Sequence, residues 1–407
     1  MLSQPNSTPA GQDKAPHTMV WLASALFLSY LSVAMSMPTT SIYVDTALHL
    51  GNAMAGLAVG VAFASTILTR SLAGRFADHH GGKPCMLWGL GLYAAGAIIS
   101  ALAAWHAAPL LAFGVLTLGR LVLGLGESLT IVGVLAWGIG IMGHQRSGRV
   151  FALVGMGMYG AFAAGSPLGL TVYDHAGYLG VSLACLLVPL LGLVMAAPIA
   201  PVPPQSGEHP PLRQIIAKIW DLGLVVFLQG IGFAALGAFM PLLFLHRHWP
   251  HASLGLTFFG TAFVLVRLFC GHLPDRIGGV RVAVVSLAVE TCGQLLLYSA
   301  TTPTVALIGA ALTGAGCSMI FPAMGVEVVR RVPPHLRGTA MGGFAAFQDL
   351  AYGATGPLTG LLADRAGDAA VFLAGSLTSA LGLSVAIILT YRARRPAGAT
   401  SQAKETS

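Results

Sequence analysis

Residues 70–82 read RSLAGRFADHHGG, and residues 267–279 read RLFCGHLPDRIGG. The arginine, the first glycine, the aspartate and the closing pair of glycines recur at one offset of 197 residues. Each stretch ends a long apolar run and begins a polar turn. A second register continues the match at an offset of 190: Gly124, Gly126 and Ser128 return as Gly314, Gly316 and Ser318, and Gly148, Pro167, Asp174 and Gly177 as Gly338, Pro357, Asp364 and Gly367. Chance does not hold a register over such a distance, so the chain is two copies of one unit. Membrane proteins built from such repeats place their substrate between the halves, near the middle of the bilayer.

Composition says what the unit is made of. The 407 residues are 55% hydrophobic and 9% charged, with a mean hydropathy of +0.78. Soluble domains carry about 25% charged residues, which excludes an ordinary water-soluble enzyme. A disordered chain is excluded by the opposite argument, because it lacks apolar residues. A membrane span takes roughly 20 apolar residues. Apolar runs begin at Met19 and recur near 52–73, 85–105, 109–142, 150–172 and 178–200, then near 219–245, 252–272, 282–300, 304–329, 338–363 and 369–391. The expected fold is all-α and integral to the membrane, with twelve transmembrane helices in two six-helix repeats. Its parts are an N-terminal tail over 1–18, a first half over 19–200, a Pro-rich polar linker over 201–218, a second half over 219–391 and a basic tail over 392–407. The first run has neither a short apolar core nor a cleavage site, and reads as a span that stays. Nothing is left over for a soluble catalytic domain, and no enzyme is expected.

With the N-terminus inside, the inner segments hold 18 of the 21 lysines and arginines, the outer loops hold Arg247 and Arg365, and Arg120 falls within a span. The positive-inside rule then puts both termini in the cytoplasm. The same distribution explains the net charge of +7 as topology, so nucleic acid is not an expected partner. Five cysteines, odd in number and without a CxxC spacing, read as small buried hydrophobes. No Walker loop supports ATP hydrolysis, and no cofactor is expected. His246, His248 and His251 share an outer loop without the acidic or thiol partner that a metal site needs, so no metal is expected either.

The repeated loop pattern G-x-x-x-D-x-x-G resembles the cytoplasmic-loop motif of the major facilitator superfamily. Arg120-x-x-x-Gly124-x-Gly126 in the fourth span resembles its buried-arginine motif. Gly160, Gly165 and Ser-Pro167-Leu-Gly169 in the fifth resemble the glycine-proline motif of its drug and metabolite antiporters. RLVLGLGES, GAFAAGSPLG and GAGCSMIFPAMGV are similar to the bacterial YhhS/YfcJ-type, arabinose-efflux-permease-like branch. The chain departs from these patterns at His79 and Gly82, where basic residues are usual, and at Ser166 and Leu170, where glycines are. The resemblance implies an inner-membrane secondary transporter working by alternating access, exporting a small organic solute in exchange for protons. Proton-coupled uptake of a sugar or organic acid is the alternative, and a multi-span membrane enzyme a weaker one. One chain suffices as a monomer.

Arg120 is the first candidate site residue, since even lenient insertion scales charge about 2.5–3.5 kcal/mol for an arginine at mid-span. Glu127 lies seven residues on, within about 20° of the same helix face. Two roles are open. Arg120 holds an anionic group or the carboxylate while Glu127 exchanges a proton, or the two make a static ion pair to a neighbouring span. Asp349, near the middle of the eleventh span, is a second proton site, a substrate ligand or a carboxylate satisfied by nearby hydroxyls. The repeat partners of Arg120, Glu127 and Asp349 are Ala310, Cys317 and Tyr159, so each charge sits in one half only. Tyr159 and Tyr352 are candidates to line the same cavity. Glu290, mid-way along the ninth span, is expected to pair with an arginine such as Arg267. Glu327 is expected to bridge to Arg330 and Arg331 at a helix end. Gly74, Asp78 and Gly81, with Gly271, Asp275 and Gly278, read as an inner gate whose glycines allow tight turns and whose carboxylates meet helix N-termini or arginines. Gly160, Gly165 and Pro167 give the fifth span a small face and a kink for close packing.

Overall fold

The computed structural model describes residues 15–105, 108–143, 146–203, 212–333 and 337–394. Most of both expected tails and of the linker (1–14, 395–407 and 204–211) lies outside the described residues. The chain divides into two compact units, Met1–Gly207 and Glu208–Ser407. The first holds α1 (Ala15–Ile42), which runs on into a π-helical turn at Tyr43–Ala47, then α2 (Gly51–His80), α3 (Gly82–Leu102), α4 (Pro109–Met142) and α5 (Ser147–Ala196). The second holds α6 (Leu212–His246), α7 (Leu254–Cys270), α8 (Leu273–Ile277), α9 (Gly279–Tyr298), α10 (Pro303–Arg331), α11 (Arg337–Ala366) and α12 (Asp368–Arg394). The described residues contain no strand.

Nine of the described helices are long and apolar enough to cross a membrane. One of them, α5, makes two crossings, because Gly177 breaks it with φ 63° and ψ −166°. A side chain added at Gly157 would meet the Ala23 carbonyl, and one added at Gly192 the Ala25 carbonyl. Both ends of α5 therefore reach the same level of α1, and the chain reverses at Gly177. α7 is short, at 17 residues, since Pro274 lacks the N–H that would carry the helix onward. α11 has the length, but Gln348, Asp349 and its glycines dilute its apolar character. Leu110, Leu111, Leu118 and Leu121 on α4, and Leu187, Leu191 and Val194 on α5, remain exposed. Lipid tolerates such a face, provided the backbone satisfies its own hydrogen bonds. The same reasoning corrects the reading of the cysteines. Cys85, Cys185 and Cys317 are buried, but Cys292 is exposed on α9, where lipid gives an apolar group no reason to hide.

The two units are built on the same seam. In α4, Gly119, Gly126 and Gly133 sit seven residues apart and press on Gly96, Gly89 and Gly82 of α3, with the facing glycine carbonyl oxygens 2.7–2.9 Å from where a Cβ would stand. In α10, Gly309, Gly316 and Ala323 make the same row against α9, where Gly293 and Gly279 approach. Only small residues let helices come this close. Two residues from that row, and roughly 200° around the helix, Gly124 presses on Ala62 of α2 and Gly314 on Phe259 of α7. Thus α4 stands between α2 and α3, and α10 between α7 and α9. At the ends of the seams Gly81 (φ 87°) and Gly278 (φ 92°) take the same positive-φ turn, which a side chain would strain.

Candidate functional site

α4 turns its third face, bearing Arg120 and Glu127, toward α1 and α2. Both residues are buried, at 1% and 3% exposure, within a helix long and apolar enough to cross a membrane. Tyr30 of α1 donates its hydroxyl hydrogen bond to Glu127 Oε1 at 2.6 Å, and Thr66 of α2 approaches Oε2 at 3.3 Å. The Thr66 hydroxyl is shared, since it also lies 3.0 Å from the Gly124 carbonyl and 3.1 Å from that of Ala62. About two turns away, Arg120 Nη1 donates to Ser36 Oγ at 2.8 Å and Nε to the Ala58 carbonyl at 3.2 Å. Nη2 has no hydrogen-bond partner among the described residues. Arg120 lies beside a cavity of about 10 Å³, bordered by Ser36, Ser100, Tyr178, Ser182 and Cys185. That volume is room for about one water molecule. Tyr178 in turn stacks on Tyr43, with ring centroids 4.2 Å apart.

Arg120 and Glu127 do share a face, and both reach into α1 and α2. The guanidinium does not grip the Glu127 carboxylate, however. Seven residues of rise separate the two by about 10 Å along the axis, and each finds its own partners. Tyr30, Ser36, Ala58 and Thr66 are absent from the sequence reading. The available signal was the polar row Ser29, Ser32 and Ser36 within an apolar span, spaced three and four residues apart on one helix face.

Asp349 belongs to the second unit, on α11, where it is half-buried. Its neighbour Gln348 donates to the Tyr352 hydroxyl, and Tyr352 packs on Phe233 of α6 with centroids 4.9 Å apart. Tyr159 instead packs on Phe162 of its own helix. Among the loop residues, Asp78 is half-buried and Asp275 exposed. A Cβ at Gly74 would meet nothing within 4 Å, so its lack of a side chain serves no close approach here. Gly165 presses on Ala34 of α1 and Pro167 lies inside α5, which places the fifth-span motif on the α1 seam; Gly160 is half-buried.

Two expectations about carboxylates change. Glu290 makes no ion pair with Arg267. Arg267 donates to the Ser318 carbonyl on α10 and lies 5.1 Å over the Phe263 ring, while Glu290 is on α9, across α10 from it. Glu327 does bridge to Arg330, at 3.0 Å, and also accepts the Gly279 N–H at 3.1 Å, at the start of α9. Arg331 turns away to Asp221 of α6. At the end of α6 His246 Nδ1 meets Oδ2 of Asp368, the first residue of α12, at 2.6 Å, and among the described residues no group of three metal-ligating side chains forms.

The model of the Major Facilitator Superfamily matches residues 22–221 and again 222–407, one match per repeat. An MFS-type transporter of Salmonella typhimurium strain LT2 is 44% identical over 378 residues, which cover 91% of this chain and 96% of that one. An MFS-type transporter of Burkholderia mallei strain SAVP1 is 39% identical over 392 residues, 95% of each chain. In fold the chain is similar to a mutant of the nucleoside transporter NupG, with a TM-score of 0.74, 16% identity and coverage of 91% of this chain and 99% of that one. It is also similar to the human organic anion transporter MFSD10, with a TM-score of 0.66, 17% identity and coverage of 94% and 100%. The family match and these relatives make the chain a secondary transporter rather than an enzyme. The chain belongs to the major facilitator superfamily.

Proposed function

We propose that the protein exports a small organic solute in exchange for protons by alternating access, with Arg120 and Glu127 as the coupling pair. One observation carries this reading: a carboxylate buried in mid-span, held by hydroxyls from two other helices, with an arginine on the same helix face. A proton arriving on Glu127 turns one of its oxygens from acceptor into donor. The Tyr30 and Thr66 hydroxyls then face a weaker acceptor, and the new O–H needs an acceptor of its own. Protonation of Glu127 is in this way tied to how α4 sits against α1 and α2, which is the coupling a transporter needs. Arg120, with Nη2 unpartnered beside its cavity, supplies the positive charge for an anionic or hydroxylated group. Asp349 serves as the acid of the second unit.

The remaining assignments rest on the sequence. The similarity to the YhhS/YfcJ-type branch and the glycine-proline motif support export. The bias of basic residues to one side of the spans supports both termini in the cytoplasm, in the inner membrane of a bacterium. Gly74, Asp78, Gly81, Gly271, Asp275 and Gly278 act as the inner gate, and a monomer suffices.

The test uses everted inner-membrane vesicles with a pH-gradient dye, challenged with pools of sugars, organic anions and cationic drugs. Dequenching by one pool supports proton-coupled export. Silence from every pool, with accumulation in right-side-out vesicles, replaces export by uptake.

A further inference from the structure

A second buried carboxyl group lies in the other unit, and the coupling reading does not use it. Glu290 on α9 is 0% exposed, near the middle of a span. It is the repeat counterpart of Tyr93 on α3, at the offset of 197, while Glu127 on α4 is the counterpart of Cys317 on α10. The carboxyl group has therefore moved one helix across the α3–α4 type of seam. The other polar partner has moved the same way. Arg120 of α4 corresponds to Ala310, and Ala97 of α3, at the edge of the Arg120 cavity, corresponds to Gln294 of α9. The second unit thus carries a buried polar site of its own, built from α9 where the first is built from α4.

Its chemistry is a buried carboxyl group ringed by neutral polar side chains. Gln294 Nε2 donates to the Gly232 carbonyl of α6 at 3.0 Å, and Gln229 Nε2 to Cys317 Sγ at 3.3 Å. That leaves Glu290 Oε1 and Oε2, Gln294 Oε1, Gln229 Oε1 and Ser379 Oγ of α12 buried without a hydrogen bond of good geometry. Glu290 Oε1 and Gln294 Nε2 both stand 2.9 Å from the space a Gly232 side chain would take, so this glycine leaves room for both to turn toward α6. Cys317, Ser379 and Gln229 stand around the carboxyl group. Of the groups facing it, Cys317 on α10 is titratable, while α6 brings Gln229 and the Gly232 backbone and α12 brings Ser379. No Lys or Arg among the described residues pairs with it. A lone carboxylate in hydrocarbon costs several kcal/mol, and hard cations are held by oxygens of this kind, carboxylate, amide carbonyl and hydroxyl together.

We propose that Glu290, with Gln229, Gln294 and Ser379, binds one monovalent cation, a proton or a sodium ion, inside the second unit. The cation neutralises the buried carboxylate, as a proton on one of its oxygens or as a sodium ion shared with the neighbouring amide and hydroxyl oxygens. This site stands apart from Arg120 and Glu127 and needs no assumption about substrate or direction.

The experiment follows thermal unfolding of the full-length chain in detergent from neutral to alkaline pH, in sodium chloride or choline chloride. Wild type and Glu290→Gln are compared. The wild type is expected to lose a few degrees of midpoint relative to Glu290→Gln as pH rises in choline. Restoration of that loss by sodium identifies the ion as sodium, and a loss that sodium leaves in place identifies it as a proton. Parallel curves for the two proteins in both salts overturn the proposal. If Glu290→Gln does not fold, Ser379→Ala keeps the carboxyl group and removes one of its oxygen neighbours. A dependence displaced along the pH or sodium axis then supports the site, and an unmoved one overturns it.

Discussion

α4 and α10 are the same helix made twice, and they differ where function would be expected to enter. Both carry a row of small residues every seven positions, and both hold a second glycine against the neighbour on the other side. On the remaining face, α4 has Arg120 and Glu127 where α10 has Ala310 and Cys317. The seam is thus a matter of packing common to both units, whereas the charges belong to one. A seam glycine kept by both copies of a repeat serves the packing, and a charge buried in one copy alone needs a partner or a task.

The largest effect should come from breaking what the units share. Gly126→Leu and Gly316→Leu each drive a side chain into backbone 2.6–2.8 Å from the Cβ position, and both should abolish the folded protein in size-exclusion profiles. If one of them folds, the seams are not equivalent. Next comes the difference. Arg120→Ala removes two charge-assisted bonds worth about 1.5–3 kcal/mol each and should reduce transport to background, while Ala310→Ser at the matching site should leave transport within about twofold. Tyr30→Phe removes one donated bond to Glu127, worth about 1.5 kcal/mol or more when the acceptor is charged. It should weaken proton-driven transport by roughly tenfold and leave the fold intact by circular dichroism. The smallest effect belongs to Arg330→Ala. Its bridge to Glu327 has Arg330 54% exposed, so the unfolding midpoint should barely move, within about 0.5 kcal/mol.

What could be read without coordinates follows the same division. Spans and repeat were legible because each is a pattern along the chain: apolar run length and a fixed offset. Gly81 and Gly278 were legible as turn glycines for the same reason. The partners of Arg120 and Glu127 were not, because Tyr30, Ser36, Ala58 and Thr66 come from α1 and α2, and no spacing on α4 can name them. The expected pairing of Glu290 with Arg267 failed for a related reason. Their helices are close in sequence, but α10 stands between them, and its Ser318 carbonyl takes the Arg267 donor. Gly74 is the reverse case, a motif glycine with open space around it.

The central claim is that proton coupling resides in the first unit, on Glu127. The direct measurement is substrate-induced dequenching in everted vesicles carrying wild type, Glu127→Gln or Asp349→Asn, alongside substrate counterflow, which needs no proton. The account predicts that Glu127→Gln loses dequenching and keeps counterflow, since glutamine still offers Tyr30 an acceptor. Dequenching that persists in Glu127→Gln and disappears in Asp349→Asn would place coupling in the second unit and contradict it.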